Sequence, residues 1–206
     1  MGIKESSDEL NPSVMTADAV VPKPRASRSV TDYLALTIAT CGVGYLPLAP
    51  GTWGSLLAIG FYLTLEFVTW KFIRNFAGPN SFLLFSPWSL FIAAELLLIT
   101  VVTLVGIWAA TRAEKLFARK DPQKVVVDEV AGQLIALLPV MSRFDPGWLS
   151  ILTAFVAFRL FDIIKPYPAR RLESLESGLG IIADDIVAGA YAAVVVSVFV
   201  LVRRLI

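Results

Sequence analysis

The sequence predicts an all-α, multihelical integral membrane domain with about five short hydrophobic helices and a disordered N-terminal tail. Three observations predict it. The chain is 56% hydrophobic and 17% charged; soluble domains carry roughly 25% charged residues, so the surplus apolar surface calls for lipid as its solvent. Apolar runs recur at 55–68, 88–110, 130–140, 148–164 and 186–202. The strict apolar–polar alternation of half-buried strands is missing between them.

Each segment follows in order. At 206 residues the chain is long enough for one domain and short for two. Residues 1–32 mix Ser, Pro and charges of both signs without an apolar core, and read as a disordered cytoplasmic tail; 33–206 read as one membrane domain. The run 88–110 is the clearest span, since a bilayer core of about 30 Å needs about 20 apolar residues. The other runs are shorter, so each borrows flanking residues to cross or dips in and returns. Gly78-Pro79-Asn80, Asp145-Pro146-Gly147 and Ser177-Gly178 mark turns.

Cations set the orientation. Lys23, Arg25 and Arg28 in the tail, Arg112, Lys115, Arg119, Lys120 and Lys124 in one connection, and Lys165, Arg170 and Arg171 in another share one face if each run crosses once. The opposite face holds Lys71, Arg74, Arg143, Arg203 and Arg204. The excess places the first set in the cytoplasm. Two acidic pairs, the end of the 148–164 run and the glycine-rich stretch before residue 55 then gather at the cytoplasmic interface. A re-entrant hairpin in place of the third and fourth spans leaves that convergence unchanged.

Composition also excludes. A net charge of +1 removes the main physical reason to expect a nucleic-acid partner. Cys41 is the only cysteine, so no internal disulfide forms. With no histidine, a Ser-His-Asp triad, a phosphohistidine and a histidine-ligated zinc are ruled out. A Cys-x5-Arg loop would need arginine where Pro47 stands, and neither a DxD nucleophile motif nor a DG…AR…G…D…D signature occurs.

What remains is carboxylate and cation chemistry. In "VVVDEVAGQLIALLPV" Asp128 and Glu129 precede an apolar helix, and in "GLGIIADDIVAG" Asp184 and Asp185 do the same. One acid near a helix N-terminus gains roughly 0.3–1 kcal/mol from the macrodipole, so capping alone is the competing explanation. Two adjacent acids repel, however, and with Asp162 near the same level five negative charges collect. Oxygen-only ligands of this kind suit a hard cation such as Mg²⁺. In "FRLFDIIKPYPARR", Arg159, Asp162 and Lys165 fall at i,i+3 steps on one helical stripe that Pro166 ends. An internal ion pair with a snorkelling lysine is the plain alternative. In "CGVGYLPLAPGTWGS", Thr52 reads as an N-cap whose neighbouring amides suit a phosphate, against a turn that merely packs small residues. Glu95 interrupts the longest run, either protonated or paired with Arg159, and is given no role.

The segments "GVGYLPLAPGTWGS", "VVVDEVAG", "FRLFDIIKPYPARR" and "GLGIIADDIVAG", in that order over about residues 41–190, resemble the phosphatidylglycerophosphatase A family. The resemblance implies an all-helical, Mg²⁺-dependent inner-membrane lipid phosphatase that converts phosphatidylglycerophosphate to phosphatidylglycerol and phosphate. Charge and spacing at the matching positions then distribute the roles. Asp128, Glu129, Asp162, Asp184 and Asp185 are the candidate metal ligands, with Asp128, Asp162 and Asp185 catalytic. Thr52, Arg159, Lys165 and Arg170 are the candidates for holding the substrate phosphate. The nucleophile is either an activated water or an aspartate. The expected partner is a phospholipid in the membrane, with a homo-oligomer left open. A transporter or ion pathway built on intramembrane carboxylates is the competing class, ahead of a charge-paired scaffold.

Overall fold

The computed structural model describes residues 28–76, 87–141 and 147–205. Among them the regular elements are all helical: α1 (Val30–Thr40), α2 (Pro50–Phe76), α3 (Pro87–Phe117), α4 (Val127–Leu137), α5 (Trp148–Ile164), α6 (Ala169–Leu172) and α7 (Ser177–Leu205). Single 3-10 turns at Val43–Tyr45 and Leu138–Met141 lead into α2 and out of α4.

α2, α3 and α7 are long and apolar enough to cross a membrane, at 27, 31 and 29 residues. They exceed the short helices expected because charged residues at the ends of the apolar runs, such as Lys71, Arg74 and Arg203, continue the helix. Straight-chain cations are good helix formers, and their heads can reach interfacial water. Leu97, Leu104, Val194 and Val198 stand exposed on α3 and α7, an outer surface suited to lipid. By contrast α4 has 11 residues and rises only about 16 Å, roughly half a bilayer core. It leads away from the acidic end of the molecule, and α5 returns there.

Two helices were not expected. α1 begins at a capping box in which the Ser29 side chain accepts from the Asp32 amide and Asp32 accepts from the Ser29 amide. Arg112 of α3 then holds it, donating from Nε to Asp32 Oδ1 at 2.6 Å and from Nη2 to Thr31 Oγ1 at 3.0 Å. Val30, Thr31 and Asp32, assigned from sequence to the tail, therefore form the first turn of a helix. Residues 1–27 of that tail lie outside the described residues, as do the expected turn at 78–80 and most of the one at 145–147. α6 is a single turn after Pro168.

α4 is the hub, contacting α1, α2, α3, α5 and α7. Nearly all of it is buried, including Val130, Ala131, Leu134 and Leu137, because neighbouring helices surround it. Its closest neighbour is α7. A Cβ on Gly132 would meet the Asp185 carbonyl oxygen at 2.6 Å, and one on Gly189 would collide with the Gly132 carbonyl oxygen. The two backbones touch here because neither residue has a side chain. On α2, Gly51, Gly54, Ser55 and Ala58 form a buried small-residue stripe, and a Cβ on Gly54 would lie 3.0 Å from the Val126 carbonyl oxygen of the loop before α4.

These contacts give the helices their directions. α2, α4 and α7 start at the same end of the molecule, and α3 and α5 finish there. α3 reaches it through Gly106, packed against Val127 and Ile182, and through Thr111, whose Oγ1 accepts from the Gly178 amide at 3.0 Å. Gly178 thus opens α7 instead of marking a turn.

Replacing Gly189 with Val should destabilise the protein by about 1–3 kcal/mol through overpacking. Gly60→Ala, at a position with nothing within 4 Å, should be neutral or gain up to about 1 kcal/mol. Unfolding midpoints in detergent compare the two variants.

Candidate active site

The Gly132–Gly189 crossing sets the carboxylates. Asp128 lies four residues before Gly132 and Asp185 four before Gly189, one helical turn in each case. Each therefore sits at the same height above the contact. One oxygen each from Asp128, Glu129 and Asp185 lie within 4.8 Å of one another. Asp162, from the last turn of α5, stands beside Asp185.

The second acidic pair differs from expectation. α7 begins at Ser177, so Asp184 and Asp185 lie two turns inside the helix and are not at its head. The glycine-rich "GLGIIA" continues as helix because Gly178 and Gly180 let its backbone pack closely, Gly178 against Ile107 and Thr111, Gly180 against the Leu175 carbonyl. Capping can account for Asp128 and Glu129 in the first turn of α4, but not for Asp184 and Asp185.

Cations surround this centre in two ways. Arg159 Nη1 donates to Asp162 Oδ2 at 2.6 Å. It also lies beside Gly51, where a Cβ would come 2.8 Å from the same nitrogen and collide with Glu129 Oε1. Lys165 leaves the stripe it was expected to share with Arg159 and Asp162. It caps α5 in the left-handed conformation at φ 47°, which turns its ammonium onto Asp184 Oδ2 at 2.6 Å and Glu173 Oε1 at 3.4 Å.

A cavity of about 550 Å³ opens over the acids, lined by Asp128, Glu129, Asp162, Asp184 and Asp185, by Lys165 and Arg170, and by the Arg119–Lys120–Asp121 turn after α3. Of the expected phosphate-holding residues, Lys165 and Arg170 reach it. Arg159 does not line it and acts on Asp162 and Glu129 from behind. Thr52 is absent from the lining because α2 starts at Pro50, earlier than the expected N-cap. Its amide donates to the Ala49 carbonyl at 2.9 Å, and Gly51 faces the carboxylates in its place. Glu95 is fully buried in the first third of α3, away from the cavity at that helix's other end; Arg159 is engaged with Asp162, and neither Glu95 oxygen has a hydrogen-bond partner among the described residues. Sequence reasoning missed Glu173, Arg119 and Lys120, and the role of the paired glycines. The shared Asp-x3-Gly spacing of "DEVAG" and "DIVAG" was the signal for the last.

Electrostatics describe a centre short of positive charge. Burial, reinforced by the nearby charges of Glu129 and Asp185, pushes the Asp128 carboxyl well above its usual range. Burial also raises Glu129, against the opposing pull of Arg159. For Lys165 burial alone would lower the ammonium, but the Asp184 hydrogen bond and charge outweigh it and raise it. Asp128 Oδ1, Glu129 Oε2 and Asp184 Oδ1 are buried without a hydrogen-bond partner among the described residues. Clustered oxygen donors with unsatisfied lone pairs fit a hard metal ion, and Asp128, Glu129 and Asp185 could hold one. Asp184, tied to Lys165, supports them from outside the cluster.

An all-helical protein with membrane-length helices, an oxygen-only acidic centre and cations around one cavity has the parts of a phosphoryl-transfer site. The chain belongs to the phosphatidylglycerophosphatase A family, which it matches over residues 36–200. It is 31% identical over 174 residues to phosphatidylglycerophosphatase A of Haemophilus influenzae, covering 84% of this chain and 92% of that one. The Escherichia coli phosphatidylglycerophosphatase A is 31% identical over 153 residues, 74% of each chain. A Bacteroides thetaiotaomicron protein named "putative phosphatidylinositol-3-phosphatase" is 34% identical over 167 residues, 81% of this chain and 93% of that one. No solved structure gives a significant match. Membership makes the protein a phosphatase and sets aside the transporter and scaffold readings.

A divalent cation should stabilise the fold by about 2.7 kcal/mol at a hundredfold excess over its dissociation constant, and so raise the unfolding midpoint. Asp128→Asn should abolish that rise while leaving the metal-free fold as stable or more so, since it removes a buried like charge. Thermal scans with Mg²⁺ and with chelator compare the two.

Proposed function

We propose that the protein hydrolyses phosphatidylglycerophosphate to phosphatidylglycerol and inorganic phosphate, with Mg²⁺ held by Asp128, Glu129 and Asp185. The observation that carries this reading is the gathering of those three carboxylates, from two helices, on the floor of a cavity rimmed by cations. Family membership supports the lipid phosphate as substrate. The Bacteroides relative's name points to a phosphoinositide. That lipid shares with phosphatidylglycerophosphate a phosphate monoester on an alcohol, joined through a phosphate diester to diacylglycerol.

When bound, Mg²⁺ supplies Lewis-acid polarisation of the phosphoryl group and a lowered pKa for water. The side chains do the rest. Lys165, fixed by Asp184 and Glu173, presents its ammonium to the monoester phosphate, and Arg170 reaches it from α6. Asp162 is held at Oδ2 by Arg159, which leaves Oδ1 to take a proton from the attacking water. The new P–O bond forms to that water as the bond to the glycerol oxygen breaks, and the leaving oxygen takes up a proton. Gly51 lets α2 approach Glu129 and Arg159 closely on one side.

The cation-rich end, with Arg112, Lys115, Lys124, Arg170 and Arg171, faces the cytoplasm of a bacterial inner membrane in this reading, by the excess of positive charge over the far ends of α2 and α7. The substrate's acyl chains stay in the leaflet while its head group enters the cavity.

Purified protein with phosphatidylglycerophosphate should release phosphate only with Mg²⁺. Asp185→Asn should lower kcat by at least about a hundredfold without loss of folding. Release unaffected by a chelator would refute the metal, and near-normal turnover of the variant would remove Asp185 from the site. Single turnover in oxygen-18 water should label the released phosphate.

A further inference from the structure

Two cations at the site have a partner. Arg159 is bound to Asp162, and Lys165 to Asp184 and Glu173. Arg119, Lys120 and Arg170 are different: all three are exposed, line the cavity and form no ion pair among the described residues. Asp121 lines the same wall yet pairs with neither Arg119 nor Lys120. A monoester phosphate over the metal-binding carboxylates has Lys165, fixed by Asp184, and Arg170 in the same cavity to meet it. Arg119 and Lys120, on the turn after α3, carry no partner among the described residues and can meet a second anionic group.

Their position suggests what they answer. They follow the last turn of α3, at the end of a membrane-length helix, a different element from α6 and from α4 and α7, which carry the other lining charges. The site therefore presents two stations for negative charge, a metal-binding floor and a cationic rim, within one cavity of about 550 Å³. That volume is in the range that encloses a whole polar head group rather than one phosphate.

We propose that Arg119 and Lys120 hold the diester phosphate of the substrate while the floor works on its monoester. The inference rests on the reading under Proposed function and adds a substrate rule. These two residues are what favours lipids that carry two phosphates separated by a polyol over lipids that carry one. Both a glycerophosphate and a phosphorylated inositol head group satisfy this rule, and phosphatidate does not.

The test uses full-length protein in uncharged detergent micelles, which removes general attraction to an anionic surface. The KM for phosphatidylglycerophosphate is measured together with the inhibition constant of phosphatidate of the same acyl composition. In Arg119→Gln/Lys120→Gln the KM should rise about tenfold, the size of one lost charge-assisted contact, with kcat and the phosphatidate constant changed by less than about twofold. Lys115→Gln, at the same end of α3 but outside the cavity, is the control for non-specific charge. A KM that does not move, a parallel rise for phosphatidate, or an equal effect of Lys115→Gln would each overturn the proposal. Failure of the unmodified protein to hydrolyse phosphatidylglycerophosphate would overturn both readings, whereas hydrolysis with any of those three results removes only this one.

Discussion

Backbone contact between α4 and α7 at Gly132 and Gly189 is the constraint on which the site depends. In a lipid environment helices gain little from burying apolar side chains against one another, so close packing at small residues carries much of their association. Here it also does chemical work. Each glycine has an aspartate one turn before it, so shrinking the distance between helix axes brings Asp128 and Asp185 to the same point. Phe158 of α5 closes over the crossing, where it would meet any side chain added at Gly132. Packing and ligand geometry thus arise from one contact.

Bringing buried carboxylates together is costly, and the surrounding charges show how the protein distributes that cost. Asp162 and Asp184 each have a dedicated cation, Arg159 and Lys165, held at 2.6 Å. Asp128 and Glu129 have no such partner and retain buried oxygens without hydrogen bonds among the described residues. Arg159 and Lys165 thus offset two of the acids, while Asp128 and Glu129 are left to a cation that their cluster with Asp185 could hold. Lys165 gains its partner only because the backbone turns left-handed at the end of α5, which separates it from the stripe it would continue in a straight helix.

Depth in the membrane follows from the short central helix. α4 is too short to cross by itself, so the α4–α5 pair leaves and returns to the same end. That arrangement, with α2 and α7 starting there and α3 ending there, gathers five helix termini around one cavity. A lipid phosphatase needs such a place, because its substrate presents phosphate at the boundary while its chains remain in oil.

The helical class, the apolar runs inside the long helices and the three charged segments were legible in the sequence, because lipid demands continuous apolar runs and any charge beside them stands out. The identities of Asp128, Glu129, Asp162, Asp185, Lys165 and Arg170 as cavity residues came from the same contrast. Helix ends were not legible. α7 extends nine residues upstream of its apolar run and α1 precedes the first one, since backbone hydrogen bonding ignores the polarity that delimits a run. Thr52 was misplaced for that reason: one early turn at Pro50 consumed its amide. Pairings among charges, the retreat of Arg159 behind the acids and the place of Arg119 and Lys120 in the cavity lining depended on which backbones approach most closely. Sequence by itself determined which residues could carry the chemistry, because their types and local spacing are written along the chain. Only the tertiary structure decided which of them meet, because that is set by the absence of side chains at two glycines 57 positions apart, whose contact no local pattern specifies.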